Sequence, residues 1–435
     1  MIHTLKPKSS FLLIASFCGL LSCKTAQNQE NTSSLDGHFE NSSHSEILSF
    51  KNQMQPVAEY EPTDKVILGL EALTLYTKAD LVREILSSGV REIWVTVPSS
   101  ITIDFSHEAL QPVASQLTSA ERAKIKFIRQ SEPGKVTTWA RDWAPLFVRS
   151  RTTRDLHFLD FNYAGGRYGD DATPRTFENQ FPEFRNKRVS IPLYNELGNF
   201  VASSQGSCFM TDHIVQSNAA KRIQEDMVFN DEQIRQFFRD YAGCRAVFIT
   251  EKLPYEVTGH IDMWLKVLGE NTLLISEVTD EQLQNIGTEA DNETSRDSRF
   301  SLRLGTGPEG QPQSYGYVNE MKEIQTFLNH YAASFARMGW RVERVPMPLL
   351  SSGPLGKVVR SYTNSLLLNG RALIPSYQKN SRGRGYPDSS RIGSMENAVA
   401  NTYRALGYEP VFLNADDIIA ANGAIHCITM QVPKG

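Results

Sequence analysis

The chain has 435 residues, 40% of them hydrophobic and 22% charged, with a formal net charge of −4. That balance describes a globular chain with enough apolar residues for one large core or for two to three ordinary domains. It excludes a global basic field, so no nucleic-acid partner is expected.

The N-terminus stands apart from the rest. "MIHTLKPKSS" carries Lys6 and Lys8, and "FLLIASFCGLLS" follows as an apolar run too short to span a bilayer. This is the pattern of a secretory signal peptide over residues 1–22. Its end, Leu20-Leu21-Ser22-Cys23, resembles the lipobox of bacterial lipoproteins. The resemblance implies cleavage before Cys23, lipidation of its sulfur, and loss of 22 residues to leave a mature chain of 413. The expectation is an exported protein of the bacterial cell envelope, anchored by lipid in a membrane. In a Gram-negative cell, Lys24 after the cysteine points to the outer membrane. Residues 23–55 are rich in Asn, Ser, Gln and Glu, a composition that buries too little area to offset its ordering entropy. They read as a flexible lipidated tether, which leaves residues 56–435 as the folded domain.

Strand and helix signals then alternate. "KVILGLEAL" and "REIWVTVP" read as strands around the helical pattern "KADLVREILSSG", which ends at Gly89. "HEALQPVASQLTSAERA" reads as a helix interrupted at Pro112, and "KIKFIRQ" as the next strand. "GHIDMWLKVLGENTLLISEV" has the alternation of a hairpin, and "SYTNSLLLNGRALIPSY" repeats the form with its turn at Asn369-Gly370. Ser394 is placed to cap the helix "MENAVANTYRAL", which Gly407 stops, and "EPVFLNA" is a strand. The terminal "GAIHCITMQ" reads as a last, buried strand. So many hairpins fit an α/β chain poorly suited to a doubly wound parallel sheet.

Cys18 lies within the signal and Cys23 at its end, so Cys208, Cys244 and Cys427 remain. The odd number leaves at least one thiol free, and a Cys208–Cys244 bridge is one open pairing. No C-x-x-C pair and no zinc spacing occurs.

Four polar clusters stand beside strand-like segments: Arg141 and Asp142 in "TTWARDWAPLFV", Glu196 in "YNELGNFV", His260 and Asp262 in "TGHIDMWLKV", and Cys427 in "GAIHCITMQ". Singly, each has a bland reading as a surface pair, a chance spacing or an inert core thiol. Their separations are more telling. Asp142 to Glu196 is 54 residues, Glu196 to His260 is 64, and His260 to Cys427 is 167, close to three such steps. Asn364, in the second hairpin, falls 104 residues after His260, close to two steps. A step of about 55 residues that brings a strand and turn to one place points to repeated modules around a centre.

Taken together, Trp139-Ala140-Arg141-Asp142-Trp143-Ala144-Pro145, Glu196-Leu197-Gly198-Asn199, Gly259-His260-Ile261-Asp262 and Ile425-His426-Cys427-Ile428-Thr429 with Gln431 resemble the guanidine-modifying (pentein) superfamily. Within it, they are most similar to the Porphyromonas-type peptidylarginine deiminase and agmatine deiminase group. The resemblance implies an α/β fold of five ββαβ modules in a pseudo-fivefold propeller, with the active site on its axis.

The chemistry asks for these residue types. A guanidinium is planar, permanently cationic and a poor electrophile. Carboxylates gripping its N–H groups hold the carbon in place, and Asp142 and Asp262 are the candidates. Cys427 attacks as a thiolate, and His260 protonates the departing ammonia, then deprotonates the water that hydrolyses the thiouronium. Glu196 holds His260 in the required tautomer. The reaction needs no metal or organic cofactor. Its products are ammonia and a ureido group.

Two departures bear on substrate. Agmatine deiminases usually have Gly where Ala144 stands, and E-G-G where this chain has Glu196-Leu197-Gly198. The Asn364 hairpin resembles the peptidylarginine group, in which this Asn helps hold substrate, and Arg167 in "GGRYGDD" is a candidate for a C-terminal carboxylate whose bland reading, a surface-loop arginine, is preferred. Arginine-containing peptides or proteins are therefore the expected substrates, with agmatine the alternative. His426, by strand alternation, points away from Cys427 and reads as structural. Rival readings are a cysteine protease or acyltransferase, a metal hydrolase built on His260 and Asp262, and a non-catalytic lipoprotein that binds cationic peptides.

Overall fold

The computed structural model describes residues 50–163, 167–219, 228–284, 314–353, 356–378, 388 and 390–435. The expected signal peptide, Cys23 and all but the last few residues of the expected tether lie outside these.

In chain order the strands are β1 (Met54–Pro56), β2 (Thr63–Gly69), β3 (Glu92–Val97), β4 (Ile125–Arg129), β5 (Leu146–Ser150), β6 (Leu156–Asn162) and β7 (Arg188–Tyr194). There follow β8 (Val201–Ala202), β9 (Ser207–Thr211), β10 (Ala246–Thr250), β11 (Leu265–Gly269), β12 (Thr272–Glu277) and β13 (Arg341–Pro346). The last are β14 (Ser351–Gly353), β15 (Gly356–Val358), β16 (Leu366–Leu368), β17 (Arg371–Ser376), β18 (Glu409–Asn414) and β19 (Thr429–Pro433).

One pattern recurs five times: an antiparallel pair, a helical crossover, and a third strand parallel to the second. It runs through β5-β6-β7, β8-β9-β10, β11-β12-β13 and β16-β17-β18. The fifth copy joins the two ends of the domain, since β19 pairs antiparallel with β2, which is parallel to β3. The ββαβ modules expected from the motifs are present, and the C-terminal strand closes the set. β4 and β1 extend two of the sheets as extra strands, and β14–β15 is a separate hairpin.

Local sequence explains the parts. Asn369 and Gly370 have φ of 49° and 87°, the left-handed pair that a tight β16–β17 turn requires. The crossover helix Ala79–Ser87 turns Leu81, Val82 and Ile85 onto Val66, Leu68 and Val95 of the sheet. The parallel strands are buried on both faces, so β2 reads as a continuous apolar run.

Four details differ from the sequence reading. Residues 107–123 form three short pieces, Glu108–Leu110, Gln111–Ala114 and Ser119–Ala123, with Pro112 in a first turn where its missing N–H costs nothing. The helix Ile392–Ala405 starts before Ser394, whose hydroxyl donates to Arg391 O at 2.8 Å instead of capping. The expected boundary at residue 55 falls inside β1, which pairs with β5 from Met54 onward. Finally, β19 begins at Thr429, and residues 425–428 form a turn, so Cys427 sits before the strand and not within it.

Candidate active site

Each module contributes the turn that leads into its first strand. The helical turn Ala140–Trp143 precedes β5, Leu197–Asn199 precedes β8 and Ile261–Met263 precedes β11. Residues 361–365 precede β16, and the turn 425–428 precedes β19. Asp142, Glu196, His260 with Asp262, Asn364 and Cys427 lie on these five segments. The recurring sequence spacing therefore has a structural origin, with insertions accommodated in the crossovers.

The turns are held by groups that do not themselves enter the site. Asn199 bonds both ways to Thr211, its Oδ1 accepting from the backbone N at 2.8 Å and its Nδ2 donating to O at 3.3 Å. Glu256 accepts from the backbone N–H groups of Gly259 and His260 at 2.6 and 3.2 Å. Arg141, buried beside Asp142, points away from it: its guanidinium meets Gln431 Oε1 at 2.5 Å and Glu59 Oε1 at 3.3 Å, and its backbone N donates to Cys427 O at 3.0 Å. Arg141 and Gln431 thus tie the first turn to the last. Trp139 lies so close over Gly423 that a Cβ there would come within 2.2 Å of the indole.

The reactive groups converge. His260 Nε2 lies 2.7 Å from Glu196 Oε2, and its Nδ1 lies 3.7 Å from Asp142 Oδ1. Cys427 Sγ is 3.2 Å from Asn364 Nδ2 and 4.0 Å from Asp262 Oδ2. The thiol is only 4% exposed. Oδ1 of Asp142 and Oδ1 of Asp262 are buried acceptors that no hydrogen-bond donor meets among the described residues. His260 Nδ1, at 3.7 Å, is near enough to Asp142 Oδ1 for ion pairing but too far for a hydrogen bond, and buried carboxylate oxygens without a donor are costly unless a cationic donor meets them.

Residues not anticipated as functional complete the picture. The turn before β19 sends His426 toward Asp262: its Nδ1 is 2.6 Å from Asp262 Oδ2 and its Nε2 is 2.5 Å from Glu59 Oε1. The structural reading of His426 rested on strand alternation, which a turn does not obey. Lys266 Nζ, also buried, holds the other oxygen of Glu59 at 2.7 Å. His213, first residue of the helix His213–Ala219, places Nε2 3.7 Å from Glu196 Oε2. Its adjacency to "ELGN" is not visible in the sequence, and Glu59 lies outside every motif. Glu196, His213 and His260 each offer one ligand atom, all within 4.8 Å of one another, which no linear metal spacing foretells.

Arg167 is not part of the cluster. Its guanidinium pairs with Asp170 at 3.6 Å and lies 5.6 Å from the Tyr163 ring centroid, with the side chain 42% exposed. A surface cavity of about 310 Å³, lined by Arg151, Arg154 and Arg245 among others, contains none of the clustered residues.

The family model described as Porphyromonas-type peptidyl-arginine deiminase matches residues 55–301 and 309–433. The chain belongs to that family. It is a guanidino-group deiminase of the peptidyl-arginine and agmatine deiminase kind, a hydrolase. A Shewanella baltica relative named "Putative agmatine deiminase" is 22% identical over 329 residues, covering 73% of this chain and 80% of the relative. Among solved structures, the C. jejuni agmatine deiminase has a TM-score of 0.57 at 14% identity, over 88% of this chain and 96% of that one. An Enterococcus faecalis agmatine deiminase gives 0.58 at 16% identity, over 88% and 96%. At such identities these structures show the shared fold.

In this deiminase the electrostatics follow from crowding three carboxylates around one ring. Burial works against a charged His260, but Asp142, Glu196 and Asp262 outweigh it and push the imidazole up to about 10. Burial, with Glu196 and Asp262 nearby, raises Asp142 to about 7 despite the opposing pull of His260. Glu196, although desolvated, is held well below the usual carboxylate range by His213 and His260. Burial first, and then Asp262 and Asp142, push the Cys427 thiol far up. A guanidinium bound to both aspartates removes that electrostatic opposition, so the arrangement can form a thiolate when a cation is in place.

Proposed function

We propose that the enzyme hydrolyses the guanidino group of a small alkylguanidine, agmatine foremost, to a ureido group and ammonia. The carrying observation is the pair of buried oxygens, one each on Asp142 and Asp262, that no hydrogen-bond donor meets among the described residues, in the cluster that holds Cys427. Those oxygens grip two edges of the guanidinium through charge-assisted hydrogen bonds and hold its carbon for attack. With the cation in place the Cys427 thiol gives up its proton to water, and the thiolate, steadied by the Asn364 amide, forms the C–S bond while the protonated His260 gives its proton to the departing nitrogen, which leaves as ammonia. His260 then takes a proton from water as that water displaces the sulfur. Glu196 keeps His260 oriented and charged.

Substrate identity draws support from two sides. The relatives matched in sequence carry agmatine deiminase names. The nearly enclosed thiol suits a guanidine on a slender alkyl stem. A second reading, deimination of arginine in peptides, is favoured by the description of the family model. Under it, Arg167 lies next to Tyr163, whose hydroxyl is pushed up by burial and by the charges of Asp142 and Glu196, so the arginine stands one residue outside the cluster. That position suits a substrate carboxylate. Export and lipid anchoring through Cys23 remain part of the proposal. The Cys208–Cys244 disulfide, typical of an oxidising compartment, supports export.

The test is a ureido and ammonia assay of the full chain with agmatine, free arginine, and peptides carrying internal or C-terminal arginine. Agmatine is expected to give the highest kcat/KM. Turnover of peptides alone would select the second reading, and no ureido product from any of them would end the proposal. Cys23→Ala is expected to move the protein from the membrane to the soluble fraction.

A further inference from the structure

We propose that Glu196, His213 and His260 form a binding site for a divalent transition-metal ion, zinc foremost, whose occupation silences the deiminase. The inference rests on the reading of His260 as the group that moves protons. Each of the three offers one ligand atom within 4.8 Å of the others, and the atoms that meet at Glu196 Oε2 are His213 Nε2 and His260 Nε2. The carboxylate oxygen is 2.7 Å from the His260 nitrogen and 3.7 Å from the His213 nitrogen. A tetrahedral zinc ion with bonds of about 2.0–2.2 Å holds its ligands about 3.3 Å apart, so it needs shifts of about half an ångström at the contacts with Glu196 and a closing of the two imidazole nitrogens, which lie within 4.8 Å, onto the ion. Two imidazoles and one carboxylate with a fourth position open is a donor set that zinc takes.

The surroundings favour a cation. Asp142 Oδ1, 3.7 Å from the far nitrogen of His260, adds negative charge without itself being a ligand. The approach is open, because the Glu196 and His213 side chains are 29% and 30% exposed while His260 is 2% exposed. The three groups are also mechanically joined. Gly259, beside His260, packs so tightly on His213 that an added Cβ would come within 3.2 Å of the His213 Cβ.

A zinc ion on His260 Nε2 blocks the nitrogen that Glu196 supports and fixes the ring, so proton transfer to the leaving ammonia stops. The ion acts as an inhibitor here. His213 touches no reacting atom; it reaches the reaction only through Glu196, 3.7 Å away, and supplies the third metal ligand.

The full chain, stripped with EDTA and dialysed, is titrated with zinc chloride by calorimetry and assayed for ureido product over the same zinc range. One zinc per chain is expected, with inhibition tracking binding. His213→Ala is expected to weaken both at least tenfold, each variant being read against its own metal-free rate, and His213→Gln serves if the alanine variant does not fold. Cys427→Ala is expected to bind zinc as the unaltered protein does. X-ray absorption of the zinc-loaded protein is expected to show two imidazole ligands and no sulfur. A sulfur ligand, loss of binding in Cys427→Ala, or unchanged affinity in the His213 variants overturns the proposal. Zinc bound through His213 in a protein with no turnover upholds the site and instead overturns the reaction assigned to it.

Discussion

His426 Nδ1 lies 2.6 Å from Asp262 Oδ2, and that contact fixes the carboxylate with Oδ1 as the oxygen that no donor meets among the described residues. Glu59 holds the other side of the ring, itself held by Lys266 and Arg141, and burial of Glu59 is more than offset by His426 and these cations. Removing the ring in His426→Ala frees Asp262 to turn. Hydrogen bonds to charged groups contribute about 1.5–3 kcal/mol, which corresponds to a loss of about 10- to 150-fold in kcat/KM. The loss is expected mainly in KM, with part of it recovered in His426→Asn, which can still donate to the carboxylate. Steady-state kinetics with a melting curve for each variant checks this.

Cys427 is expected to be a reluctant thiol until substrate binds. Alkylation of the free enzyme by iodoacetamide should be slow at pH 8 and still rising at pH 10. Burial is the largest cause of that reluctance and Asp262 the next, so Asp262→Asn should shift the alkylation profile to lower pH while abolishing turnover. Cys427→Ala should lower turnover by more than about a thousandfold without loss of fold. An unshifted alkylation profile in Asp262→Asn would contradict the assigned electrostatics.

The pH dependence has a definite sign. Asp142, raised to about 7, must be ionised to hold a guanidinium, so kcat/KM rises as pH passes upward through that value. His260, raised to about 10, must carry its proton, so kcat/KM falls as pH passes upward through that one. The profile is a bell. Glu196→Gln removes one of the charges that hold the proton on His260, so the alkaline limb should move to lower pH, as rate measurements from pH 5 to 11 would show.

Gly198 is needed for closeness. A Cβ there would lie 2.4 Å from His260 Nδ1 and 2.9 Å from Asp142 Oδ1, distances that real contacts do not reach. Gly198→Ala should displace the imidazole and reduce kcat at least tenfold, while the melting temperature changes little because Leu197 and Asn199 keep the turn. Full activity in that variant would mean that the two side chains are free to move.

The Cys208–Cys244 bridge closes a sequence separation of 36 residues. Chain-entropy arguments for a loop of that size give about 4 kcal/mol, with measured values commonly about 2–4. The double variant Cys208→Ala/Cys244→Ala should lose stability in that range in urea unfolding. Under denaturing, non-reducing conditions Cys208 and Cys244 of the unaltered chain should resist alkylation while Cys427 reacts.

The sequence by itself determined the parts and their chemistry. Alternating runs and the Asn369-Gly370 turn specify hairpins through local backbone preferences, and four polar motifs carry the residue types proposed as two guanidinium anchors, an acid–base pair and a nucleophile. These are short-range properties, readable within ten residues. Tertiary structure decided what those motifs become together. Only the folded chain brings β19 beside β2 and aligns five turns, because strand pairing between distant residues is settled by whole-domain packing. The direction of His426 depended on whether residues 425–428 are strand or turn, a distinction that strand periodicity alone did not make. Glu59, Lys266 and His213 gained their places from contacts spanning tens to hundreds of residues, and Arg167 was left outside by the same packing. The charge states followed last, since burial and the meeting of carboxylates from separate modules set them, and neither exists before the chain folds.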